Sequence, residues 1–150
     1  MKAMLALAAL ATVAAAPRDA PAAASPADAP IRAAEARLVA HLQGDDPLAW
    51  VADYTEDAVF QEGTEEPVSG RAALTKLARS LGPLSSVSLE PERTMVQGRL
   101  AYVQVRGAYA VGKGARAGPL SRFRGVMIWR RDTDGQWRML HEMLAPEPGK

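Results

Sequence analysis

The sequence contains no cysteine. That excludes a disulfide framework, thiolate metal sites, a cysteine nucleophile and a bacterial lipoprotein anchor. It holds two histidines, His41 and His141, so one chain cannot build a three-histidine zinc site. Charge of one sign is lacking as well. With 18 Lys and Arg against 17 Asp and Glu, the formal net charge is +1. Such a balance gives no electrostatic reason to expect nucleic acid or an anionic membrane as a partner. The apolar run Ala3 to Ala16 is too short to span a bilayer comfortably as a helix.

What is there begins with that run. Lys2 supplies a positive n-region, the Leu, Ala, Val and Met residues that follow form an h-region, and small residues come after them. This reads as a signal peptide, cut after Ala15 or near Ala24 rather than directly before Pro17. Pro17, Pro21, Pro26 and Pro30, interleaved with alanines, read as an extended linker. The expected organisation is residues 1–24 as signal and processing region, 25–30 as linker, 31–146 as one domain and 147–150 as a tail. The expected location is periplasmic or secreted, without a stable membrane anchor.

Asp28 is a plausible N-cap with Pro30 in the first turn, and Ile31, Ala34, Leu38 and Leu42 follow at helical spacing. Gly44 ends that helix. Asp46-Pro47 opens a short second helix with Leu48, Trp50, Val51 and Tyr54, closed by Thr55-Glu56-Asp57. Ala58 to Gln61 is a short strand and Gly63 to Pro67 an acidic loop. Ser69 caps a third helix, whose Leu74, Leu77, Ala78 and Leu81 stand at i, i+3, i+4 and i+7. Gly82-Pro83 stops it. From there the period becomes strand-like: Leu84 to Val96, a turn at Gln97-Gly98, Arg99 to Val111, a glycine-rich loop to Pro119, then a hairpin. Helices first and an antiparallel meander after them make an α+β domain with its helices on one face of the sheet.

The closing hairpin, Leu120 to Ala145, turns at Asp134-Gly135. Strict alternation puts Phe123, Gly125, Met127 and Trp129 on one face of its first strand, and Trp137, Met139, His141 and Met143 on the same face of its second. Arg106, Arg122, Arg124, Arg130, Arg138 and Glu142 fall on the opposite face, with Tyr102, Val126, Ile128, Leu140 and Leu144. Gly107 and Gly125 sit mid-strand, where glycine marks a bulge, a bend or a close approach.

The ordered set DPLAWVADYTEDAVFQEG, SGRAALTKLARSLG, LAYVQVRGAYAV and RFRGVMIWRRDTDGQWRMLHEML resembles the nuclear transport factor 2-like superfamily. Within it, the set is most similar to the SnoaL-like, ketosteroid-isomerase-like bacterial proteins of unknown function. The resemblance spans roughly Ile31 to Pro146. It implies a cone: a curved antiparallel sheet of four to six strands wrapped around three N-terminal helices, with an internal pocket. It also implies a domain that often dimerises through its sheet. Relatives often carry a histidine and a serine on the last strand where this chain has Met143 and Ala145, and a threonine near Arg124. Members include isomerases, cyclases, dehydratases and pure binding modules, so the fold does not choose a function.

His141 is the foremost candidate for acid or base chemistry, since an imidazole titrates near neutral pH. The bland alternative is a histidine satisfied by nearby backbone. Tyr54 or Tyr109 is expected to polarise a substrate oxygen, with Asp53 or Asp57 as a carboxylate base; Asp57 reads more simply as a turn or cap residue. His41, on the flank of the first helix, reads as a boundary histidine. The pocket lining expected is Trp50, Tyr54, Phe60, Tyr109, Phe123, Met127, Trp129 and Met143, although many such residues are simply core. No metal or organic cofactor is expected. The expected ligand is a small hydrophobic molecule, and Val126, Ile128 and Leu140 are expected to join two copies of the chain through the sheet. Two functions stand side by side: a non-catalytic binding domain, or a cofactor-independent isomerase, cyclase or dehydratase acting through His141.

Overall fold

The structure is a computed structural model, and it describes residues 26–147; the signal-peptide and cleavage expectations for residues 1–24 fall outside them. The described part of the expected linker is helical rather than extended. Pro26–Asp28 form a 3-10 turn that leads into helix α1, Ala29–Gln43. Pro30 sits in the first turn of α1, where no backbone N–H is needed. Ile31, Ala34 and Leu38 are buried as expected, and Glu35 is buried beside them. The Gly44 N–H closes the helix on the His41 carbonyl at 3.2 Å.

The second of the three expected helices is only a 3-10 turn, Ala49–Asp53, started by an Asx turn in which the Leu48 N–H donates to Asp46 Oδ1 at 2.8 Å. Strand β1 then runs Tyr54–Glu62, so residues 54–57 open a strand and do not close a helix. Their Tyr-Thr start suits a half-buried extended chain. Ser69 does not cap helix α2, Arg71–Leu81. It lies in the two-residue strand β2, Val68–Ser69, paired to Val59, and Gly70 with φ 81° makes the turn into the helix.

The meander follows as β3 (Leu84–Gln97), β4 (Leu100–Val111), β5 (Ser121–Arg131) and β6 (Trp137–Pro146). The sheet order is β2-β1-β6-β5-β4-β3, with β1 and β6 parallel and the other neighbours antiparallel. Register shifts interrupt β3 twice, once where Ser86 takes φ 53°; others lie in the β1–β6 and β5–β6 pairings. Each adds local twist and bend, and together they curl the sheet around the helices. Pro91 sits in β3, an edge strand, where its missing N–H costs no central ladder bond. Val103, Val105, Met127, Trp129 and Met139 from the sheet meet Ile31, Leu38 and Leu74 from the helices in one core.

The shift between β5 and β6 decides which side chains face inward. Trp129 pairs with Met139 but Ile128 pairs with His141, so Leu140 is the extra residue of a bulge. Trp137 and Met139 are buried, as alternation predicts; beyond the bulge the buried residues are Glu142 and Leu144. The expected face is therefore corrected at four positions. His141 and Met143 turn to the outer side of the sheet, and Glu142 and Leu144 turn to the inner side, because one inserted residue inverts a period of two.

Gly107 and Gly125 are places of close approach. A Cβ on Gly107 would collide with the Phe123 ring and the Ser88 carbonyl, and one on Gly125 with the Met143 carbonyl and the Leu144 side chain. The Phe123 ring and the Leu144 side chain occupy the space that a Cβ at these two positions would take.

Candidate functional site

Between the helices and the inner face of the sheet lies a cavity of about 110 Å³. Its apolar wall comes from Leu38 and Leu42 of α1, Leu77 and Leu81 of α2, and Leu84, Val87 and Leu89 of β3. Trp50, Phe60, Phe123 and Leu144 complete that wall. The polar groups are two tyrosine–glutamate pairs, Tyr54 with Glu142 and Tyr109 with Glu62. A second recess, about 210 Å³, adjoins it, sharing Leu42, Trp50, Leu81 and Leu84 and bounded also by Asp45, Pro47, Arg79 and Pro83.

The fold positions each polar group from a different element. Tyr54 begins β1; Arg71, in the first turn of α2, donates from Nη2 to the Tyr54 carbonyl at 2.6 Å and also pairs with Glu56. The Tyr54 ring stands edge-on to Trp50, centroids 5.4 Å apart. Its hydroxyl donates to Glu142 Oε2. Glu62 ends β1, and Tyr109 reaches it from β4 with a 2.9 Å hydrogen bond to Oε1. Phe60 pairs with Glu142 and Glu62 with Leu144 across the parallel β1–β6 ladder, so both carboxylates lie on the same side of it.

The electrostatics follow from burial. Glu142 is 5% exposed, and loss of hydration pushes its pKa up to about 7; the Tyr54 hydrogen bond opposes that rise and the nearby Glu62 charge adds to it. Burial, and then Glu142, raise the Tyr54 pKa well above the usual tyrosine value. Tyr109 is pushed to about 12 by burial and by Glu62. Both tyrosines therefore stay protonated and donate. Glu142 can hold or release a proton near neutral pH, which is what a buried acid–base group requires.

Of the residues expected from sequence, Trp50, Tyr54, Phe60, Tyr109 and Phe123 line the cavity. Met127 and Trp129 are fully buried in the core and do not line it, and Met143 is 48% exposed on the outer side. His141 lies opposite Ile128 and Val59, away from the cavity, and its buried Nε2 has no hydrogen-bond partner among the described residues. Asp57 is on the surface, held by both Nη atoms of Arg130 at 2.8 and 3.0 Å, which lowers its pKa to about 2. Asp53 is buried just outside the cavity between Arg37 Nε and His41 Nδ1, each at 2.6 Å. It clamps α1 onto the residue before Tyr54, and Arg37 extends the clamp to the Trp137 carbonyl at 2.8 Å. Sequence reasoning missed Glu142, Glu62 and the leucine wall. The leucines were visible as amphipathic stripes, but Glu142 is hidden by the bulge. Among the described residues no group of three or more His, Asp or Glu is placed to hold a metal ion.

Residues 36–139 match the family model described as the SnoaL-like domain. No curated protein matches the chain. Many solved structures do. An NTF2-like protein with a cystatin-like fold from Novosphingobium aromaticivorans superposes with a TM-score of 0.66 at 22% identity, covering 81% of this chain and 82% of that one. A ketosteroid isomerase-like protein from Erwinia carotovora atroseptica gives 0.67 at 17% identity, covering 81% and 96%. An NTF2-like protein of unknown function from Pseudomonas putida gives 0.64 at 22% identity, covering 83% and 88%. At these identities the likeness is one of fold.

Proposed function

The chain belongs to the SnoaL-like domain family, and from that premise we propose that it binds a small, mostly apolar molecule in the cavity between its helices and its sheet. The observation that carries this reading is an apolar cavity holding two inward carboxylates, each given a tyrosine hydroxyl. Small-molecule sites have this make-up, largely hydrophobic walls with a few convergent polar groups. Filling the space tests it. Leu77 is partly open to the cavity on α2, and Leu77→Trp places an indole in the void. In a thermal-shift screen of small hydrophobic compounds, hits on the native chain should lose at least about tenfold in affinity in this variant, which should still fold. Equal binding by the two proteins would place the ligand elsewhere.

A second reading is favoured by one specific feature. A carboxyl group held near neutral pKa in an apolar cavity, beside a tyrosine that stays protonated, is arranged for proton transfer at a substrate carbonyl or hydroxyl. In this reading Glu142 is the acid–base group in place of His141, and Tyr54 holds its proton-accepting oxygen in position. An isomerase or dehydratase of this kind needs no cofactor for proton transfer.

Export and self-association belong to the same proposal. The N-terminal pattern supports a periplasmic or secreted location. Val126, Ile128 and Leu140 lie half-buried on the outer face of the sheet near the exposed Met143 and Met95, which supports pairing of two copies through that face. Native mass spectrometry of protein recovered from the cells that make it reads both: a chain lacking its leader, with twice the single-chain mass. A monomer retaining Met1 would contradict both.

A further inference from the structure

The charge and hydrogen-bond inventory of the cavity narrows the ligand class, and this step rests on the binding reading above. The described residues lining the cavity include two carboxylates, and none is Lys, Arg or His. Both tyrosine protons are already committed, Tyr54 to Glu142 and Tyr109 to Glu62. Each glutamate therefore accepts one hydrogen bond on one oxygen. Glu142 Oε1 has no partner among the described residues, and Glu62 Oε2 likewise accepts none. With Glu142 ionised, the site is rich in acceptors and poor in donors. A ligand that brings only acceptors, such as a carboxylate or phosphate, would meet repulsion and unmade hydrogen bonds. One that brings N–H donors and positive charge would satisfy both free oxygens and relieve the repulsion that Glu62 exerts on Glu142. Trp50, Tyr54 and Phe123 also line the cavity, and aromatic rings are compatible with a bound cation.

We infer that the cavity takes a small, mostly apolar amine, bound as its ammonium ion against the Glu62 and Glu142 carboxylates.

Proton linkage gives the inference its signature. The groups acting on Glu142 are Tyr54 and Glu62 from β1; Tyr109 from β4 lines the same cavity and bonds Glu62, and Arg37 and His41 of α1 are paired with Asp53 outside it. On the β5 side Phe123 lines the cavity and does not titrate; on the α2 side Arg71 is turned to the Tyr54 carbonyl and Glu56. An ammonium ion binds the ionised form of Glu142, so binding expels the proton from whatever fraction of Glu142 is protonated. Amine affinity should rise with pH up to about 7 and level off above it.

Three isosteres distinguish the classes: cyclohexylmethylamine, cyclohexylmethanol and cyclohexanecarboxylate, measured by titration calorimetry on the native chain. At about pH 8 the amine should bind at least about 30-fold more tightly than the alcohol, with no detectable heat from the carboxylate. At about pH 5.5 that advantage should fall by roughly tenfold. Glu142→Gln should cut amine affinity by about tenfold or more while leaving alcohol affinity within about twofold, and Glu62→Gln should do the same more weakly. Equal binding of amine and alcohol, tighter binding of the carboxylate, or an amine preference untouched by pH and by both variants would overturn the inference while leaving the cavity a binding site. If none of the three binds, the cavity reading falls with it.

Discussion

At about pH 8, Glu142→Gln should make the protein more stable than the native chain, by about 2–3 kcal/mol. The native group is a carboxyl whose pKa burial has raised from 4.5 to about 7. The sign follows from proton binding. Between about 4.5 and 7 the folded chain holds a proton on Glu142 that the unfolded chain has released. Native stability is therefore full below the unfolded value, falls as pH rises through this window, and stays low above it. Glutamine keeps an oxygen for the Tyr54 hydroxyl and carries no charge, so that cost disappears. Thermal melts from about pH 4.5 to 8 should show the two proteins close together at the acid end and separated by on the order of 10 °C at the alkaline end. Glu35, also raised to about 7 by burial and with a buried, unpartnered Oε1, contributes a parallel decline that persists in the variant. A Glu142→Gln protein no more stable than the native chain at about pH 8 would mean that the carboxyl is better solvated than its burial implies. A residue that destabilises the fold and points into a cavity is what a functional group looks like in energetic terms.

The second large effect belongs to the clamp outside the cavity. Asp53→Ala should cost about 2–4 kcal/mol. The Asp53 side chain is 2% exposed and accepts from both Arg37 and His41, joining α1 to the start of β1. Arg37 and His41 are each about one-third exposed, so water takes up part of what they lose. Asp53→Asn, which retains an acceptor, should cost less. Urea denaturation with an unchanged m-value would measure the difference. A loss below about 0.5 kcal/mol would show that the clamp holds nothing that packing does not already hold. Because Asp53 precedes Tyr54, the alanine variant should also loosen the Tyr54–Glu142 pair and weaken amine binding, which a purely peripheral ion pair would not do.

The two long helices and the inward residues of β4 and β5 were legible because each rests on periodicity that no bulge interrupts, and the α+β class and the meander followed from the change of period after Gly82-Pro83 and from the turn signals between the strands. Leu74, Leu77, Ala78 and Leu81 declare α2; Ala101, Val103 and Val105 declare the inner face of β4. Of the expected lining residues, Tyr109 and Phe123 reach the cavity by the alternation of β4 and β5, whereas Trp50, Tyr54 and Phe60 reach it from a 3-10 turn and from β1. The polar centre was not legible. Leu140 carries no mark in the sequence that sets it apart from a regular strand residue, yet as the extra residue of a bulge it exchanges His141 for Glu142 at the inner face. The second expected helix failed on length: after Pro47 only one 3-10 turn remains before the Tyr54-Thr55 pair commits the chain to β1. Ser69 failed as a cap because the turn into α2 needs a positive φ, and Gly70 supplies it.

The most direct test is carbon-13 NMR of the protein with labelled glutamate carboxyl carbons, titrated with and without cyclohexylmethylamine. The inward, buried Glu142 predicts a carboxyl resonance that titrates at about 7, disappears in Glu142→Gln, and moves to a lower titration point when the amine is added. A Glu142 resonance that titrates near its ordinary value of 4.5 and does not respond to the amine would contradict the placement of this carboxylate in a ligand-binding cavity.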